Sequence, residues 1–228
     1  MIENPPVLTI HRGHRRPDRA LIEAFRGVQT SHLTDAMEGR GAVDWRIKPL
    51  DPTNATFTGA ALTAHAYPAD FFAVAGAAME AEPGDVIMCT NEHYTGTAVI
   101  GDLAAGMMRN KGVAAFVTDG LARDRAGIVA AGLPLFAMGI SSNSPASTGP
   151  GQVGAPVVLG GVQVCSGDII VGDEDGVVVI PLTQAEAVLT RLRAVQAAEK
   201  TAADAVKAGA TSSASWHEIQ RHARIMQS

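Results

Sequence analysis

The sequence predicts a mixed α/β domain, and three observations support this prediction. Residues 85–118 contain two apolar, strand-like runs with an amphipathic helical stretch between them, which is typical of a β–α–β crossover with parallel strands. Residues 157–181 contain short β-like runs separated by Gly-containing turns, which is typical of hairpins. Residues 184–208 then follow a helical pattern. The expected order is therefore βαβ units, then hairpins, then one long helix.

Helices are expected where a Pro, Ser, Thr or Asp precedes a periodic apolar stretch and a Gly or Pro follows it. In chain order they span 17–25, 30–37, 71–82, 101–111, 124–131, 184–208 and 215–226. Asp70 is expected to cap the third of these helices, and Thr183 the sixth. The apolar stripe expected along the sixth consists of Ala187, Leu189, Leu192, Val195, Ala198 and Ala202. The sequence leaves open whether this stripe packs on its own domain or on a neighbouring copy.

Strands are expected where apolar and β-branched residues alternate or run together between turn residues. In chain order they span 56–66, 85–90, 113–118, 133–138, 157–159, 162–165, 169–171 and 177–181. The segment 141–156 is rich in Ser, Pro and Gly, so we expect it to be a loop.

The chain has 228 residues, which suits one sizeable domain with added terminal segments. We expect an N-terminal arm at 1–16, a main domain at 17–182 and a C-terminal helical extension at 183–228.

Composition narrows the class of protein. The net charge is −5 and the one basic cluster is at 11–16, so a nucleic-acid partner is not expected. No apolar run reaches the ~20 residues needed to span a bilayer, and the N-terminus lacks the pattern of a signal peptide. Cys89 and Cys165 each lie in an apolar, strand-like run, so we expect two reduced, buried thiols in a cytoplasmic protein.

The most informative pattern is Asp102 followed, after twenty intervening residues, by the pair Arg123-Asp124. That spacing equals one helix plus one buried strand, so the crossover returns the chain to the sheet edge that it left. Asp102 and the Arg-Asp pair should therefore meet at the carboxyl ends of the strands, where open α/β sheets bind ligands. Two carboxylates and a guanidinium can hold a divalent metal and an anionic substrate. The free N–H groups of Leu103 and Ala104 at the helix start suit a carboxylate.

Other chemistries find less support. Asp102 alone is most often a helix-start acid, and Arg123-Asp124 alone a surface pair. None of the lysines at 48, 111, 200 and 207 resembles the desolvated Lys of a Schiff-base enzyme, and no G-x-S-x-G elbow is present. The acids at 173–175 are expected to form a solvated hairpin turn. His93 and Tyr94 precede Asp102 and are candidates for lining the pocket.

In these residues the chain resembles the RraA-like family, which includes the 4-hydroxy-4-methyl-2-oxoglutarate / 4-carboxy-4-hydroxy-2-oxoadipate aldolases. The family signature Asp-x20-Arg-Asp is matched by Asp102, Arg123 and Asp124. The other segments that match in order and spacing are 33–37, 47–50, 101–103, 119–120, 166–168 and 173–177. The resemblance covers roughly residues 28–182.

The resemblance implies a compact αββα sandwich that forms a homotrimer or a hexamer, with the active site at a subunit boundary. It implies a metal-dependent (class II) pyruvate aldolase that acts on a small 2-oxo acid and also decarboxylates oxaloacetate. Asp124 would ligate Mg²⁺ or Mn²⁺ directly, and Asp102 through water.

The resemblance also assigns roles to the remaining candidates. Arg123 would bind the 2-oxo acid and stabilise the enolate, while the backbone at Gly101, Leu103 and Ala104 would bind the carboxylate. The base for the retro-aldol step would be metal-bound water held by Asp102, with an acid from a neighbouring subunit, for which Glu199 is the candidate.

Two alternatives remain open. Another branch of the family regulates an RNA-degrading endonuclease without catalysis; that branch tends to lack the acid after the Arg and the long C-terminal helix. A family lyase could instead act on a different oxo acid. The segments 67–72 and 91–97 depart from the aldolase pattern, and Phe71, Phe72 and Tyr94 would make the pocket more apolar than a tricarboxylate favours.

Overall fold

The structure is a computed structural model that describes residues 6–224 and residue 226. The strands are β1 Thr9–Ile10, β2 Lys48–Pro49, β3 Phe57–Ala66, β4 Asp85–Thr90, β5 Ala98–Ile100, β6 Ala115–Thr118, β7 Leu121–Ala122, β8 Leu135–Ala137, β9 Gly139–Ile140, β10 Gly151–Val153, β11 Val157–Leu159, β12 Val162–Val164, β13 Ile169–Asp173 and β14 Gly176–Ile180. The helices are α1 Arg19–Glu23, α2 Thr30–Ala36, α3 Phe72–Glu80, α4 Asp102–Asn110, α5 Arg125–Ala131, α6 Ala185–Lys207 and α7 Ala214–His222.

The main sheet is built around β3, the longest strand. β3, β4, β6 and β8 are parallel neighbours in that order, as the β–α–β pattern predicts. The two ends of β3 have different antiparallel partners on their other edge: Phe57–Ala60 pairs with β13, and Ala64–Ala66 pairs with β10. β3 therefore joins the parallel half of the sheet to the hairpin half.

A second, three-stranded parallel sheet consists of β5, β7 and β9. Each of its strands follows a strand of the main sheet along the chain: β5 follows β4, β7 follows β6 and β9 follows β8. The crossover helices α4 and α5 start after β5 and β7, two short strands that the sequence analysis does not predict. This strand pair was missed because runs of two or three residues carry no periodicity.

Three apolar clusters set the order of the layers. One face of the main sheet packs against α3, α4 and α5, with Ile87 and Met108 in the contact. The opposite face packs against the β11–β14 hairpins, with Met88 and Ile170 in the contact. The far side of the β13–β14 hairpin, including Ile169, packs against α2 and α6. The order helix, sheet, sheet, helix confirms the αββα sandwich.

The long helix α6 packs on its own domain only near its start. Its buried residues are Ala185, Val188 and Leu192, with Leu189 and Val195 packed beside them. The other residues of the expected stripe, Ala187, Ala198 and Ala202, are exposed in the single chain, so this part of the stripe does not pack on its own domain. Thr183 makes no cap either, because the chain enters α6 through a 3₁₀ turn at Leu182–Gln184. Within the described part of the chain, no helix has the length and hydropathy needed to cross a lipid bilayer.

The predicted loop 141–156 contains a strand, β10, which corrects that prediction. β10 pairs antiparallel with β3 and parallel with β1, where Gln152 lies between His65 and Thr9. Its partners are distant in sequence, so a local pattern of Ser, Pro and Gly does not reveal it.

The cysteines are both free thiols. Cys89 is fully buried in β4, and burial raises the pKa of its thiol. Cys165 is only partly buried, which corrects the expectation of two buried thiols. Desolvation raises its pKa as well, so both side chains favour the neutral thiol.

The N-terminal arm is anchored to the main sheet by an ion pair. The guanidinium of Arg16 binds the carboxylate of Asp85, whose side chain is 1% exposed. Asp85 also accepts a hydrogen bond of 2.8 Å from the backbone N–H of Glu82. Arg16, the last residue of the basic cluster 11–16, therefore has a structural role.

We expect Arg16→Ala to lower the free energy of unfolding by about 3 kcal/mol, because it leaves the buried Asp85 carboxylate without its charged partner. Urea unfolding followed by circular dichroism measures the change. Arg12→Ala is the matched control: it removes a similar pair with Glu80, but the Arg12 side chain is 74% exposed, so water screens the pair and the expected loss is much smaller. Equal losses in the two variants would contradict this account.

Candidate active site

The carboxyl ends of β5, β7 and β9 lie side by side, and the chain leaves each of them toward one cavity. Arg123 N–H donates to the carbonyl of Ile100 at 3.0 Å, and Ser141 N–H donates to the carbonyl of Ala122 at 2.9 Å. The small sheet therefore fixes the mutual position of the three segments that follow it, which are Gly101-Asp102, Arg123-Asp124 and 141–144.

Two glycines let the segments approach closely. A Cβ on Gly101 would lie 2.8 Å from Asp124 Oδ2 and 3.2 Å from Arg123 Nε. A Cβ on Gly127, in the first turn of α5, would lie 2.4 Å from Asp102 Oδ2. Any larger residue at either position would displace a carboxylate of the site.

Asp124 has a left-handed backbone, with φ 57° and ψ 43°, directly before the start of α5. Asp tolerates this conformation better than most residues. The turn directs the Asp124 carboxylate back toward Arg123, whose Nε lies 3.3 Å from Asp124 Oδ2. The guanidinium also donates through Nη1 to Ser144 Oγ. Both charged side chains are partly exposed, at 38% and 46%, so they remain accessible to a ligand.

A cavity of about 1000 Å³ opens beside these groups, which suits a small organic molecule. Its lining includes all the sequence-predicted site residues of this region: Gly101, Asp102, Leu103, Ala104, Arg123 and Asp124. The structure thus brings together the groups that the Asp-x20-Arg-Asp spacing predicts. The N–H of Leu103 donates to Asp102 Oδ1 at 2.7 Å. This hydrogen bond orients the Asp102 carboxylate.

Other candidates lie elsewhere. Glu199 is exposed on α6 and is not among the described residues that line the cavity. His93 lines a separate cleft with His65 and Asp119, so the expectation that it lines this cavity is wrong. Tyr94 folds over Gly96 instead. Of the predicted aromatic residues only Phe71 contributes to the lining.

A lysine also reaches the cavity, but it is held by the backbone. Lys111 Nζ donates to the carbonyl of Ala78 at 3.1 Å and also to that of Met79, at the C-terminal end of α3. These two hydrogen bonds tie Nζ to the backbone of α3. Lys111 is therefore a poor Schiff-base nucleophile, in line with the sequence analysis.

Asp70 is a buried residue whose full role the sequence did not reveal. Its Oδ1 accepts from Phe72 N–H at 2.7 Å, which is the predicted cap of α3. Its Oδ2 accepts from the N–H groups of Thr148 and Gly149 at 2.8 and 2.9 Å. It therefore anchors the loop that carries Ser144 to the start of α3. Only the cap was visible locally, because the loop lies more than seventy residues away.

We expect Asp70→Ala to release this loop, because three partly buried hydrogen bonds lose their common acceptor. Hydrogen exchange at Thr148 and Gly149 should accelerate about tenfold or more, which corresponds to about 1.4 kcal/mol or more of local opening. Asp51→Ala is a matched control, since Asp51 accepts from Thr53 N–H at 3.0 Å in an exposed turn outside the described lining of the cavity. Unchanged exchange in Asp70→Ala would rule out the anchoring role.

Known proteins similar to this chain identify its family. A family model described as RraA-like, Aldolase/RraA, matches residues 30–179. A relative from Halalkalibacterium halodurans, named "Putative 4-hydroxy-4-methyl-2-oxoglutarate aldolase", is 39% identical over 176 residues, which are 77% of this chain and 83% of the relative.

Two solved structures share the fold. An uncharacterized protein from Pseudomonas syringae pv. tomato superimposes with a TM-score of 0.76 at 26% identity, over 87% of this chain and 97% of that one. A Streptomyces coelicolor protein, described as an unusual member of the RNase ES inhibitor RraA protein family, gives a TM-score of 0.72 at 26% identity, over 82% and 98%. With the family model matching most of its length, the chain belongs to the RraA-like family.

Proposed function

We propose that this protein is a divalent-metal-dependent lyase that cleaves a 4-hydroxy-2-oxo acid by a retro-aldol reaction, releases pyruvate, and decarboxylates oxaloacetate through the same enolate. The observation that carries the proposal is the meeting of Asp102, Arg123 and Asp124 on one cavity. The name of the Halalkalibacterium halodurans relative supports an aldolase-type lyase.

The donor set suits Mg²⁺ or Mn²⁺. Within the described residues, no group of three or more His, Cys, Asp or Glu side chains is arranged to hold a metal. The site instead offers oxygen ligands from Asp124 directly and from Asp102 through water, beside an open cavity. Mg²⁺ accepts such a site because it binds one or two carboxylates and keeps several waters. When bound, the ion would supply positive charge near the 2-oxo group.

Arg123 has the main role in binding and charge stabilisation. Its guanidinium can donate to the carboxylate or the 2-oxo oxygen of the substrate in two parallel hydrogen bonds. Ser144 and Asp124 hold it in place from two sides. Preorganised donors of this kind stabilise the negative charge that develops as the enolate forms.

The retro-aldol reaction also needs a base. The base removes the proton of the C4 hydroxyl, C4 becomes a carbonyl, and the electron pair of the breaking C3–C4 bond forms the enolate of pyruvate, which then takes a proton at C3. We propose that Glu199 of a neighbouring copy assists this proton transfer, in a homotrimer or hexamer. The support is that Glu199 lies on the part of α6 that extends past its last packed residue, Val195.

A second candidate function is regulation of an RNA-degrading endonuclease without catalysis. The likeness to the Streptomyces coelicolor RraA-family protein favours it. The presence of Asp124 after Arg123, and of the long helix α6, favours the lyase. A lyase acting on another oxo acid would use the same groups.

We expect purified protein to release pyruvate from oxaloacetate with Mg²⁺, and EDTA to abolish the turnover. Asp124→Asn should lower kcat/KM about 100-fold or more, because a bound metal contributes several kcal/mol to stabilising the transition state. Asn tolerates the left-handed backbone at this position, so the fold is preserved. Coupling to lactate dehydrogenase measures pyruvate.

The control is Asp175→Asn, which removes the same charge from the exposed turn between β13 and β14. It should leave turnover unchanged. A folded protein without turnover on any divalent metal, whether or not Asp124 is intact, would favour the regulator.

We expect Glu199→Gln to lower retro-aldol cleavage about 100-fold, the usual contribution of an acid–base group. Decarboxylation of oxaloacetate should change less than about threefold, since no hydroxyl proton is removed in that reaction. Glu186→Gln, an exposed change on the same helix, is the control. Equal losses in both reactions would contradict the assignment of Glu199.

A further inference from the structure

The cavity has two chemically different parts. One end carries Asp102, Arg123 and Asp124. A second wall is one face of α3 and the residue before it, where Phe71, Ala75 and Ala78 recur at helical spacing. These three side chains are partly buried and point their apolar atoms into the cavity. A bound 2-oxo acid held at the charged end therefore places its other substituents beside an apolar surface.

The loop that adjoins this wall is also uncharged. It contributes Ser144, Pro145 and Ser147 to the lining. The wall and the loop are held together, because Phe71 N–H donates to the carbonyl of Ala146 at 2.9 Å. The Asp70 carboxylate fixes the same junction. These hydrogen bonds fix the apolar wall and the loop relative to each other.

Each basic side chain of the cavity already has a binding partner or role. Among the described lining residues the basic side chains are Arg123 and Lys111. In the proposed reaction Arg123 binds the 2-oxo acid itself. Lys111 follows nine residues after Asp102 along α4, which is about 13 Å of helix, and its ammonium is bound to carbonyls of α3. Because two carbonyls already bind the Lys111 ammonium, it is not free to neutralise a carboxylate on C4.

We propose that the preferred substrate carries an uncharged, apolar substituent on C4, so that it is a monocarboxylic 4-hydroxy-2-oxo acid and not a di- or tricarboxylic one. The inference rests on the proposed function and specifies its substrate class. An apolar group gains from burial against Phe71 and its neighbours. A second carboxylate would lose its hydration there without a charged partner among the cavity residues of this chain.

The test compares pyruvate release by the full-length protein with Mg²⁺ from two substrates that share the 4-hydroxy-2-oxo acid core and differ in the substituent on C4. 4-Hydroxy-2-oxo-4-phenylbutanoate presents an apolar group at C4, and 4-hydroxy-2-oxoglutarate presents a carboxylate. We expect kcat/KM to favour the phenyl substrate about tenfold or more, as expected for one unpaired charge. A ratio of one or below would overturn the inference.

Ser147→Lys tests the wall directly, because it adds an ammonium to the lining. It should move the ratio about tenfold toward 4-hydroxy-2-oxoglutarate. Ser142→Lys adds the same charge to an exposed position of the same loop and should leave the ratio unchanged. An equal shift in both variants would mean that the cavity wall does not set the preference, and the inference would fall.

Oxaloacetate separates the two levels of the proposal, since it carries nothing beyond the carboxylate that it loses and so does not probe the apolar wall. Turnover of oxaloacetate together with a preference for 4-hydroxy-2-oxoglutarate would overturn the substrate class alone. No pyruvate from any of the three compounds would overturn the proposed function and the substrate class together.

Discussion

The three-stranded parallel sheet of β5, β7 and β9 is the constraint on which the rest of the site depends. Its hydrogen bonds hold Arg123 against Ile100 and Ser141 against Ala122, so three segments remote in sequence leave from adjacent points. Because each strand has only two or three residues, the main sheet must hold it in register from behind through β4, β6 and β8. The site is therefore only as rigid as the core beneath it, where Ile87 is fully buried.

The segments of the site can lie close together because two of its positions are glycines, which have no side chain. Gly101 and Gly127 leave space for the Asp124 and Asp102 carboxylates, and the left-handed turn at Asp124 directs its carboxylate toward the guanidinium of Arg123. Asp124 thus pairs with the guanidinium, while both acids still line the cavity. This arrangement keeps negative charge available to a cation, whereas a fully buried ion pair would already be neutralised.

The sequence predicted the parts of the molecule that local pattern or spacing controls. The helix–strand spacing placed Asp102 beside Arg123-Asp124, and alternation located β3 and the β13–β14 hairpin. Pairing between distant segments has no local signal in the sequence. The composition of 141–156 therefore predicts a loop where β10 forms, and nothing near Asp70 indicates its contact with Thr148 and Gly149. Periodicity did not resolve which part of the α6 stripe packs on this domain, because it describes a whole helix, whereas only the first turns of α6 pack here.

The pairing of β1 with β10 has a consequence for the order in which the chain folds. Thr9 and Ile10 lie beside Gln152 and Val153, so the first strand of the chain has no partner until synthesis has passed the last of the parallel strands. β10 in turn exposes an open edge until the arm arrives, and open edges recruit other chains. The arm therefore closes the sheet late, at high contact order, and completes the protection of the nascent protein against edge-to-edge association.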